Sequence, residues 1–296
     1  MKIYAFIVTY NRLNLLKRVV DSLRSQTRKI DQIIVVNNSS TDGTQAWLQT
    51  QTDLTVIHQA NLGGAGGFYR GTKYCYENGA DWVWMMDDDV FPNPDCLEEL
   101  MKCTTVSECL HIDRYYSDGE IVKCPHWYYQ PSRLSNPLYD ADTESRYLTA
   151  PEGGCFEGML LSRALIEQIG YPDPAFFVCG DDTVYGYMAL KHTRPIIVRK
   201  ATASRAQKSD DHALRPLSTY YATRNRHLLK KYIRQGVGAI PQPSAWSYYL
   251  INPVAKTFRL LRSDHKNKYK EMRAYYWGII DNLRKLSGPS HLRHKF

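Results

Sequence analysis

The sequence has no long apolar run. The first one, residues 3 to 8, is short and continues directly into polar residues, and no later run approaches the ~20 apolar residues of a membrane-spanning helix. So short a run is also unlike a secretory signal peptide. We therefore expect a soluble or peripheral protein rather than an integral membrane protein.

Paired cysteines are missing as well. The seven Cys of this 296-residue chain are scattered and form no CxxC pair. That distribution argues against a zinc knuckle and against a disulfide framework, and it favours a reducing cytosol. The fingerprint GxGxxG is absent after the first apolar run, which disfavours a dinucleotide-binding Rossmann site.

The composition is that of a globular protein with an excess of positive charge. Hydrophobic residues make up 43% of the chain and charged residues 23%. The length allows one large domain, or a domain with an appendage. The formal charge of +8 indicates an acidic partner and leaves nucleic acid, phospholipid and nucleotide open.

Apolar strands and helical patterns alternate in the first third of the chain. Strand-like runs cover residues 2–8, 33–36, 54–57 and 82–86. Helical spacing covers residues 13–26, 41–48 and 68–77. This alternation predicts an α/β fold with a parallel sheet and right-handed crossovers. Because ligands bind beyond the carboxyl ends of such strands, the polar segments that follow the strands should converge on one crevice.

The last of these polar segments is a run of three carboxylates, Asp87 to Asp89, which ends the fourth strand. Adjacent carboxylates repel one another, so a cation is expected beside them. Strand alternation places Asp87 and Asp89 on one face and Asp88 on the other. Two carboxylates on one side suit a hard divalent ion that keeps positions for water and phosphate. The alternative is a solvated acidic turn.

Four segments together resemble a known family. They are TYNR (residues 9–12), VVNNSSTDGT (35–44), NLGGAGG (61–67) and MMDDDV (85–90). In this order and spacing they resemble the donor half of the family 2 inverting nucleotide-sugar glycosyltransferases, which have a GT-A fold. The resemblance implies a nucleotide-sugar donor and a divalent ion, Mn²⁺ or Mg²⁺, bound by Asp87 and Asp89.

The same resemblance assigns donor-binding residues. The side chains that it places at the donor nucleotide are Thr9, Tyr10, Asn11, Arg12, Asn38 and Asp88. Asn61, Gly66 and Gly67 would lie near the diphosphate. Asn37 stands where many family members have Asp, so an amide would recognise uracil or thymine there.

A second acidic pair, Asp181 and Asp182, follows another apolar stretch. The segment GDDTVYGY, residues 180–187, resembles the WDDxxYG element of the galactofuranosyltransferases in this family, in which the second Asp is the base. The resemblance implies that Asp182 takes the proton of the acceptor hydroxyl and that Asp181 orients the acceptor. Gly180 replaces the Trp of that element. The alternative is an Asp pair that caps the following helix.

Glu157 and Arg205 are further candidates. Glu157 lies in a segment that resembles the family's strand under the sugar, and it could bond sugar hydroxyls or be a solvated edge. Arg205 falls where the subfamily has a metal-binding His, counted back from YYATRN at residues 220–225. It can neutralise a diphosphate or form a structural salt bridge, and His212 could replace it as the metal ligand.

The C-terminal segment has a different composition. From residue 226 onwards, 15 Lys and Arg against three acidic residues give a net charge of +12, with Trp and Tyr interleaved. We expect a GT-A-like catalytic domain over residues 1–235, its donor half ending near residue 100 and its acceptor half covering 101–235, and a basic helical appendage over 236–296. The appendage suits an anionic membrane surface, single-stranded nucleic acid, or helices packed on the catalytic domain.

These expectations describe an inverting hexosyltransferase that builds a surface polysaccharide or a lipid-linked glycan, in the cytoplasm at the inner face of the membrane. The donor that the resemblance favours is UDP-galactofuranose. One alternative is a rhamnosyltransferase that uses dTDP-rhamnose, and another is a non-catalytic binder of nucleotide sugars or nucleic acid. The intact acidic elements argue against the binder, because binding alone needs no base, and no nucleic-acid partner is expected.

Overall fold

The computed structural model describes residues 1–122, 147–149, 155–206, 216–235 and 251–294. The strands are β1 (Ile3–Thr9), β2 (Gln32–Asn37), β3 (Leu54–His58), β4 (Trp82–Asp87), β5 (Val90–Pro92), β6 (Cys109–Tyr116), β7 (Tyr147–Thr149), β8 (Leu160–Ser162) and β9 (Ile196–Arg205). The helices are α1 (Leu13–Arg24), α2 (Thr44–Leu48), α3 (Gly63–Glu77), α4 (Cys96–Met101), α5 (Arg163–Ile169), α6 (Asp181–Leu190), α7 (Pro216–Arg224), α8 (Arg226–Arg234), α9 (Asn252–Leu261) and α10 (Lys268–Leu283). Short 3₁₀ turns cover Pro174–Phe176 and Ser290–Arg293.

The predicted α/β fold is confirmed, and one mixed sheet runs through it. Its strand order is β3-β2-β1-β4-β8-β6-β9-β5, with β7 paired to β9. The first four strands in this order are parallel, as the alternation of strands and helices predicted. Strand β8 joins β4 in the antiparallel sense, and β6 and β9 form a parallel pair beyond it.

Strand β1 is buried on both faces, as expected of a central parallel strand. Ile3, Ala5 and Ile7 lie in the cluster that includes the inward face of α1. Tyr4, Phe6 and Val8 lie in the cluster beneath α3. The register pairs Thr9 with Asn37 on one side and Val8 with Asp87 on the other, so the polar ends of three strands come together.

The first turn of α3 differs from the sequence prediction. The helix begins at Gly63, so the glycine-rich stretch is helical and is not a loop before a helix at Phe68. A Cβ at Gly67 would overlap Val8 of β1, and one at Gly71 would overlap Phe6. These glycines allow α3 to pack closely on the sheet, which outweighs their poor helix propensity.

The stretch from residue 91 to 150, which shows no sequence period, contains β5, α4, β6 and β7 among its described residues. Its strands β5, β6 and β7 lie in the part of the sheet beyond β8, on the side opposite β1 to β3. Strand β6 has a register shift between Ile112 and Asp113 opposite β9. Such a shift interrupts the alternation of apolar and polar residues within β6.

The C-terminal helices α7–α10 pack together. Ala274 of α10 lies against Tyr220 and Tyr221 of α7 in one apolar cluster. Asp281 is wholly buried and accepts a hydrogen bond of 2.6 Å from the Tyr220 hydroxyl. Within the described ranges, none of the helices has both the length and the apolar character that a membrane-spanning segment needs. The division at residue 235 stays a prediction, because the adjoining residues 236–250 lie outside the described part of the chain.

Candidate active site

The loops that follow β1 and β2 are joined directly by hydrogen bonds. The Asn11 amide N–H donates to Ser40 Oγ over 2.9 Å, and Asn11 Oδ1 accepts from the Thr41 amide over 2.6 Å. Asp42 Oδ2 accepts from the amide of Leu13, the first residue of α1, over 2.9 Å. Asn11 has a positive φ of 55°, a conformation that Asn tolerates better than most residues. The predicted convergence of these two segments is therefore observed.

Asn37, Asn38 and Asn61 stabilise these loops through their side chains. Asn37 is wholly buried, and its Oδ1 accepts from the Ser40 amide over 3.0 Å. Asn38 donates to the Gly63 carbonyl over 3.1 Å, and Asn61 accepts from the Gly63 amide over 3.0 Å. The side-chain oxygen of Asn37 is thus engaged within the loop, and recognition of a base by Asn37 stays a prediction.

Thr9 and Arg12 link the end of β1 to the three consecutive carboxylates. Thr9 Oγ1 donates to Asp88 Oδ2 over 2.8 Å, and Arg12 Nη1 donates to Asp88 Oδ1 over 3.0 Å. The same guanidinium lies 3.4 Å from Asp89 Oδ2. Burial raises the pKa of Asp88, and Arg12 and the Thr9 hydroxyl oppose that rise. Tyr10 beside them is 46% exposed.

The strand β4 ends at Asp87, so strand alternation does not extend to Asp88 and Asp89, which form a turn before β5. The prediction that strand alternation places Asp88 on the face opposite Asp87 and Asp89 was therefore wrong, because Asp88 and Asp89 are not in a strand. Asp87 and Asp89 nevertheless share an electrostatic environment. Burial, followed by the charges of Glu157 and Asp89, raises the pKa of Asp87 well above its usual value, while Arg205 opposes the rise.

Glu157 and Arg205 form an ion-pair network with a residue that sequence reasoning missed. Glu157 is paired with Arg114 of β6, which is only 3% exposed. Arg205 Nη2, at the end of β9, lies 3.2 Å from Glu157 Oε1 and 3.8 Å from Asp89 Oδ2. Burial lowers the pKa of Arg205, but Glu157 and Asp89 outweigh it and raise the value. Arg205 thus forms the structural salt bridge that was predicted as one of its two roles. One of its partners, Asp89, is also a candidate metal ligand.

The chemistry of Asp87 and Asp89 fits a hard divalent cation. Both offer carboxylate oxygens, and the partly buried Asp87 carboxylate has no hydrogen-bond donor among the described residues. Those residues contain no group of three or more His, Cys, Asp and Glu side chains placed to hold an ion. An ion here would take two protein ligands and would need phosphate oxygens and water for the rest. His212, the predicted third ligand, lies outside the described residues.

The second acidic pair lies in the first turn of α6, where negative charge is favoured by the helix dipole. Asp181 is 7% exposed. Asp182 Oδ1 accepts from the Thr183 amide over 2.7 Å. The residues before the pair are strained, because Phe177 and Cys179 have φ values of 66° and 69°. Such conformations cost energy and persist only where the surroundings enforce them.

The residues that enforce this loop come from the YYATRN segment. The Asn225 amide donates to the carbonyls of Phe176, Val178 and Cys179 over 3.1, 2.8 and 2.8 Å. The wholly buried Arg224 guanidinium donates to four carbonyls. Its acceptors are Ala175, Phe176, Leu286 and Gly288, at 3.0, 3.1, 3.0 and 2.8 Å. In the sequence this motif served only as a reference point for locating Arg205, and its structural role was missed.

Helix α3 connects the Asp181–Asp182 turn to the segment that contains Glu157. The Ala65 amide, in its first turn, donates to the Phe177 carbonyl over 3.0 Å. Phe156, next to Glu157, has its ring centroid 4.2 Å from that of Phe68 in α3 and 5.8 Å from that of Tyr185 in α6. The position of the Asp181–Asp182 turn is thus set relative to the Glu157 segment by buried aromatic packing.

Comparison with known proteins gives the family. The model for glycosyl transferase family 2 matches residues 4–169. Galactofuranosyltransferase GlfT1 of Mycolicibacterium smegmatis is 30% identical over 194 residues, which are 60% of this chain and 62% of that protein. The alignment thus covers less than two thirds of that relative.

Two solved structures share the fold. Residues 1–349 of S. aureus TarS, in complex with UDP-GlcNAc, match with a TM-score of 0.55 at 15% identity and cover 97% of this chain and 82% of that one. The Pyrobaculum calidifontis mannosyltransferase PcManGT, in complex with GDP-Man and Mn²⁺, matches with a TM-score of 0.54 at 16% identity and covers 96% of this chain and 86% of that one. The chain therefore belongs to glycosyl transferase family 2 and has a GT-A-like fold.

Proposed function

We propose that this protein transfers galactofuranose from UDP-galactofuranose to a glycan acceptor, with inversion at the anomeric carbon. The observation that carries the proposal is the joining of Thr9 and Arg12 to the Asp87–Asp89 carboxylates at the ends of β1 and β4. A guanidinium and carboxylates lie side by side there, which suits a diphosphate together with a divalent ion. The 30% identity with a protein named galactofuranosyltransferase supports the choice of sugar.

In the proposed reaction, Asp182 takes the proton of the acceptor hydroxyl as its oxygen attacks the anomeric carbon. The bond from that carbon to the diphosphate oxygen breaks, and its electron pair leaves with UDP. Asp181 orients the acceptor, and Arg12 and Arg205 hold the diphosphate. Asp87 and Asp89 would hold Mn²⁺ or Mg²⁺, which would supply positive charge for the leaving diphosphate.

The exposure and the partners of the side chains suggest which of them contact the donor. Tyr10 is 46% exposed beside Arg12 and is available to stack on the uracil ring. Thr9 and Asp88 hold Arg12 in position through their mutual hydrogen bonds. Glu157 is held by Arg114 and Arg205, and we assign it to the sugar hydroxyls.

A donor screen tests the proposal. Hydrolysis and transfer are measured with UDP-galactofuranose, dTDP-rhamnose, UDP-GlcNAc and GDP-mannose, each with Mn²⁺ and with EDTA. We expect turnover with UDP-galactofuranose that depends on the ion, and a product of inverted configuration by NMR. Faster turnover with dTDP-rhamnose would favour the rhamnosyltransferase alternative. Binding of a donor without turnover of any of the four would favour the non-catalytic alternative.

We further propose that the acceptor is lipid-linked and that α9 contacts an anionic membrane. Ile251, Val254, Phe258 and Leu261 follow helical spacing and are 47, 56, 60 and 50% exposed. Exposed Arg259 and Arg262 accompany this stripe, as in helices that lie in a membrane interface.

The double variant Phe258→Ser/Leu261→Ser should then lose binding to vesicles that contain phosphatidylglycerol and keep transfer to a soluble acceptor. Leu217→Ser, which alters an exposed leucine of α7, is the control. Equal vesicle binding by both proteins would contradict membrane contact through α9.

A further inference from the structure

Four of the five basic residues of helix α8 lie on one side of it. His227, Lys230, Lys231 and Arg234 follow the spacing i, i+3, i+4, i+7, which places them along one face of a helix. Leu229 and Tyr232 instead pack against the cluster of Phe176 and Val184 next to α6. Like charges at this spacing repel one another by a few tenths of a kcal/mol per pair, so the arrangement is costly unless an anion compensates it.

A cavity of about 440 Å³ lies between this face and the end of α10. His227, Lys230, Lys231 and Arg234 line it together with Lys285, and no acidic side chain is among the described residues of its lining. Its volume is within the range of about 300–1,000 Å³ that is typical of ligand pockets. None of the residues assigned above to the donor or the acceptor lines this cavity.

The basic groups of this cavity are close enough to affect one another. Burial, followed by the charges of Arg226 and Arg234, lowers the pKa of Lys230. Burial and the charges of Arg224 and Lys285 lower the pKa of His227, although its Nδ1–H donates to the Arg224 carbonyl over 2.8 Å. The helix dipole favours positive charge at the C-terminal end of α8, which explains the presence of Lys231 and Arg234 in its last turn. The dipole explains neither Lys230 nor Lys285, which follows α10.

We propose that this cavity binds a phosphate or diphosphate group. Arginine offers a planar pair of donors and lysine a point charge, both of which suit phosphate oxygens. Leu228 and Leu283 also line the cavity, and Leu283 is 62% exposed, so an apolar chain attached to the phosphate could lie on the rim. The head group of an anionic lipid and a soluble diphosphate share this chemistry. The inference is independent of the proposed sugar transfer.

Pyrophosphate titration by calorimetry in EDTA tests the site with the full-length protein. We compare the wild type with Lys230→Gln/Arg234→Gln, and with Lys266→Gln/Lys270→Gln as a control that removes the same charge from exposed positions outside the cavity. Loss of two charge-assisted bonds should weaken binding by about tenfold or more, whereas the control should change by less than about twofold. Thermal melting of both variants verifies that they are folded.

A further variant, Arg12→Gln, separates this site from the donor crevice. The proposal is overturned if pyrophosphate does not bind, if both charge-removing variants weaken binding equally, or if Arg12→Gln alone abolishes it. A second arm measures binding to phosphatidylcholine vesicles with and without phosphatidylglycerol. If Lys230→Gln/Arg234→Gln loses pyrophosphate and vesicle binding together, the ligand is a lipid head group. If it loses pyrophosphate binding alone, the ligand is a soluble diphosphate.

Discussion

The side-chain amide of Asn225 donates a hydrogen bond of 2.8 Å to the carbonyl of Cys179, two residues before Asp181. Cys179 has a positive φ of 69°, a conformation that costs about 1–3 kcal/mol for a residue other than glycine. The amide also holds the carbonyls of Phe176 and Val178. Asn225 therefore fixes the backbone from which the candidate base extends, although it is remote in sequence.

Asn225→Ala should lower the free energy of unfolding by about 2–3 kcal/mol, since buried carbonyls lose their donor. Turnover should fall as well, because the strained loop before Asp181 relaxes. Urea denaturation and steady-state kinetics measure the two effects. The control is Asn78→Ala, which removes an exposed amide that donates to Tyr74 over 2.8 Å. A loss of stability no larger than that of the control would contradict the role of Asn225.

Asp182→Asn should reduce turnover by roughly 10²–10⁴-fold, the usual contribution of a positioned general base, and leave donor affinity nearly unchanged. Asp181→Asn should raise the acceptor KM more than it lowers kcat. Initial rates at varied acceptor concentration, with donor affinity from calorimetry, separate the two. If Asp181→Asn instead lowers kcat and Asp182→Asn raises the acceptor KM, the base is Asp181.

Asp87→Asn should raise the Tm at pH 7 in EDTA. Burial and the charges of Glu157 and Asp89 raise the pKa of Asp87 in the folded protein, so the folded state binds this proton more tightly than the unfolded chain does. The stability that the proton contributes is present at low pH and is lost as the pH rises through the raised pKa. The variant avoids that loss, so its advantage should shrink towards about pH 4, near the pKa of an unfolded Asp.

Calorimetric melting from pH 4 to 8 measures the Asp87→Asn effect, and Asp264→Asn, at an exposed position, is the control. Mn²⁺ should raise the Tm of the wild type and leave that of Asp87→Asn nearly unchanged. An advantage that does not vary with pH would contradict the electrostatic explanation.

Gly67→Ala should destabilise the protein, because the added Cβ would overlap Val8. Gly64→Ala, in the same helix with no atom within 4 Å of the added Cβ, should be neutral or stabilising by up to about 1 kcal/mol, as a helical Gly-to-Ala change usually is. Denaturation midpoints compare the pair. If Gly64→Ala keeps its stability and loses donor affinity, the stretch does contact the diphosphate, as the family resemblance implies.

Removal of residues 236–296 should abolish cooperative unfolding. The deletion takes away Asp281, which pairs with the Tyr220 hydroxyl, and the Leu286 and Gly288 carbonyls, which accept two of the Arg224 hydrogen bonds. A buried guanidinium without acceptors is costly. Near-UV circular dichroism during thermal melting measures the result. A truncated protein that melts as sharply as the full chain would show instead that residues 1–235 fold alone.

Much of the donor half could be predicted from the sequence alone. The alternation of apolar strands with helical spacing predicted that β1 to β4 form a parallel sheet, because each element's periodicity is local and both faces of the sheet are covered. The meeting of the segments that contain Thr9, Asn38 and Asp88 followed from that parallel arrangement. Local patterns determine these features, so no long-range contact was needed to infer them.

The tertiary structure alone decided which charges pair and what holds the second acidic element. Arg114 meets Glu157 because β6 and the segment before β8 are adjacent in the sheet, and their separation of 43 residues leaves no local pattern. Asn225 reaches Cys179 across 46 residues. The cationic cavity needs α8 and the end of α10 together. Hydrogen bonds and charges act over a few ångströms in space, and the distance along the chain does not predict them.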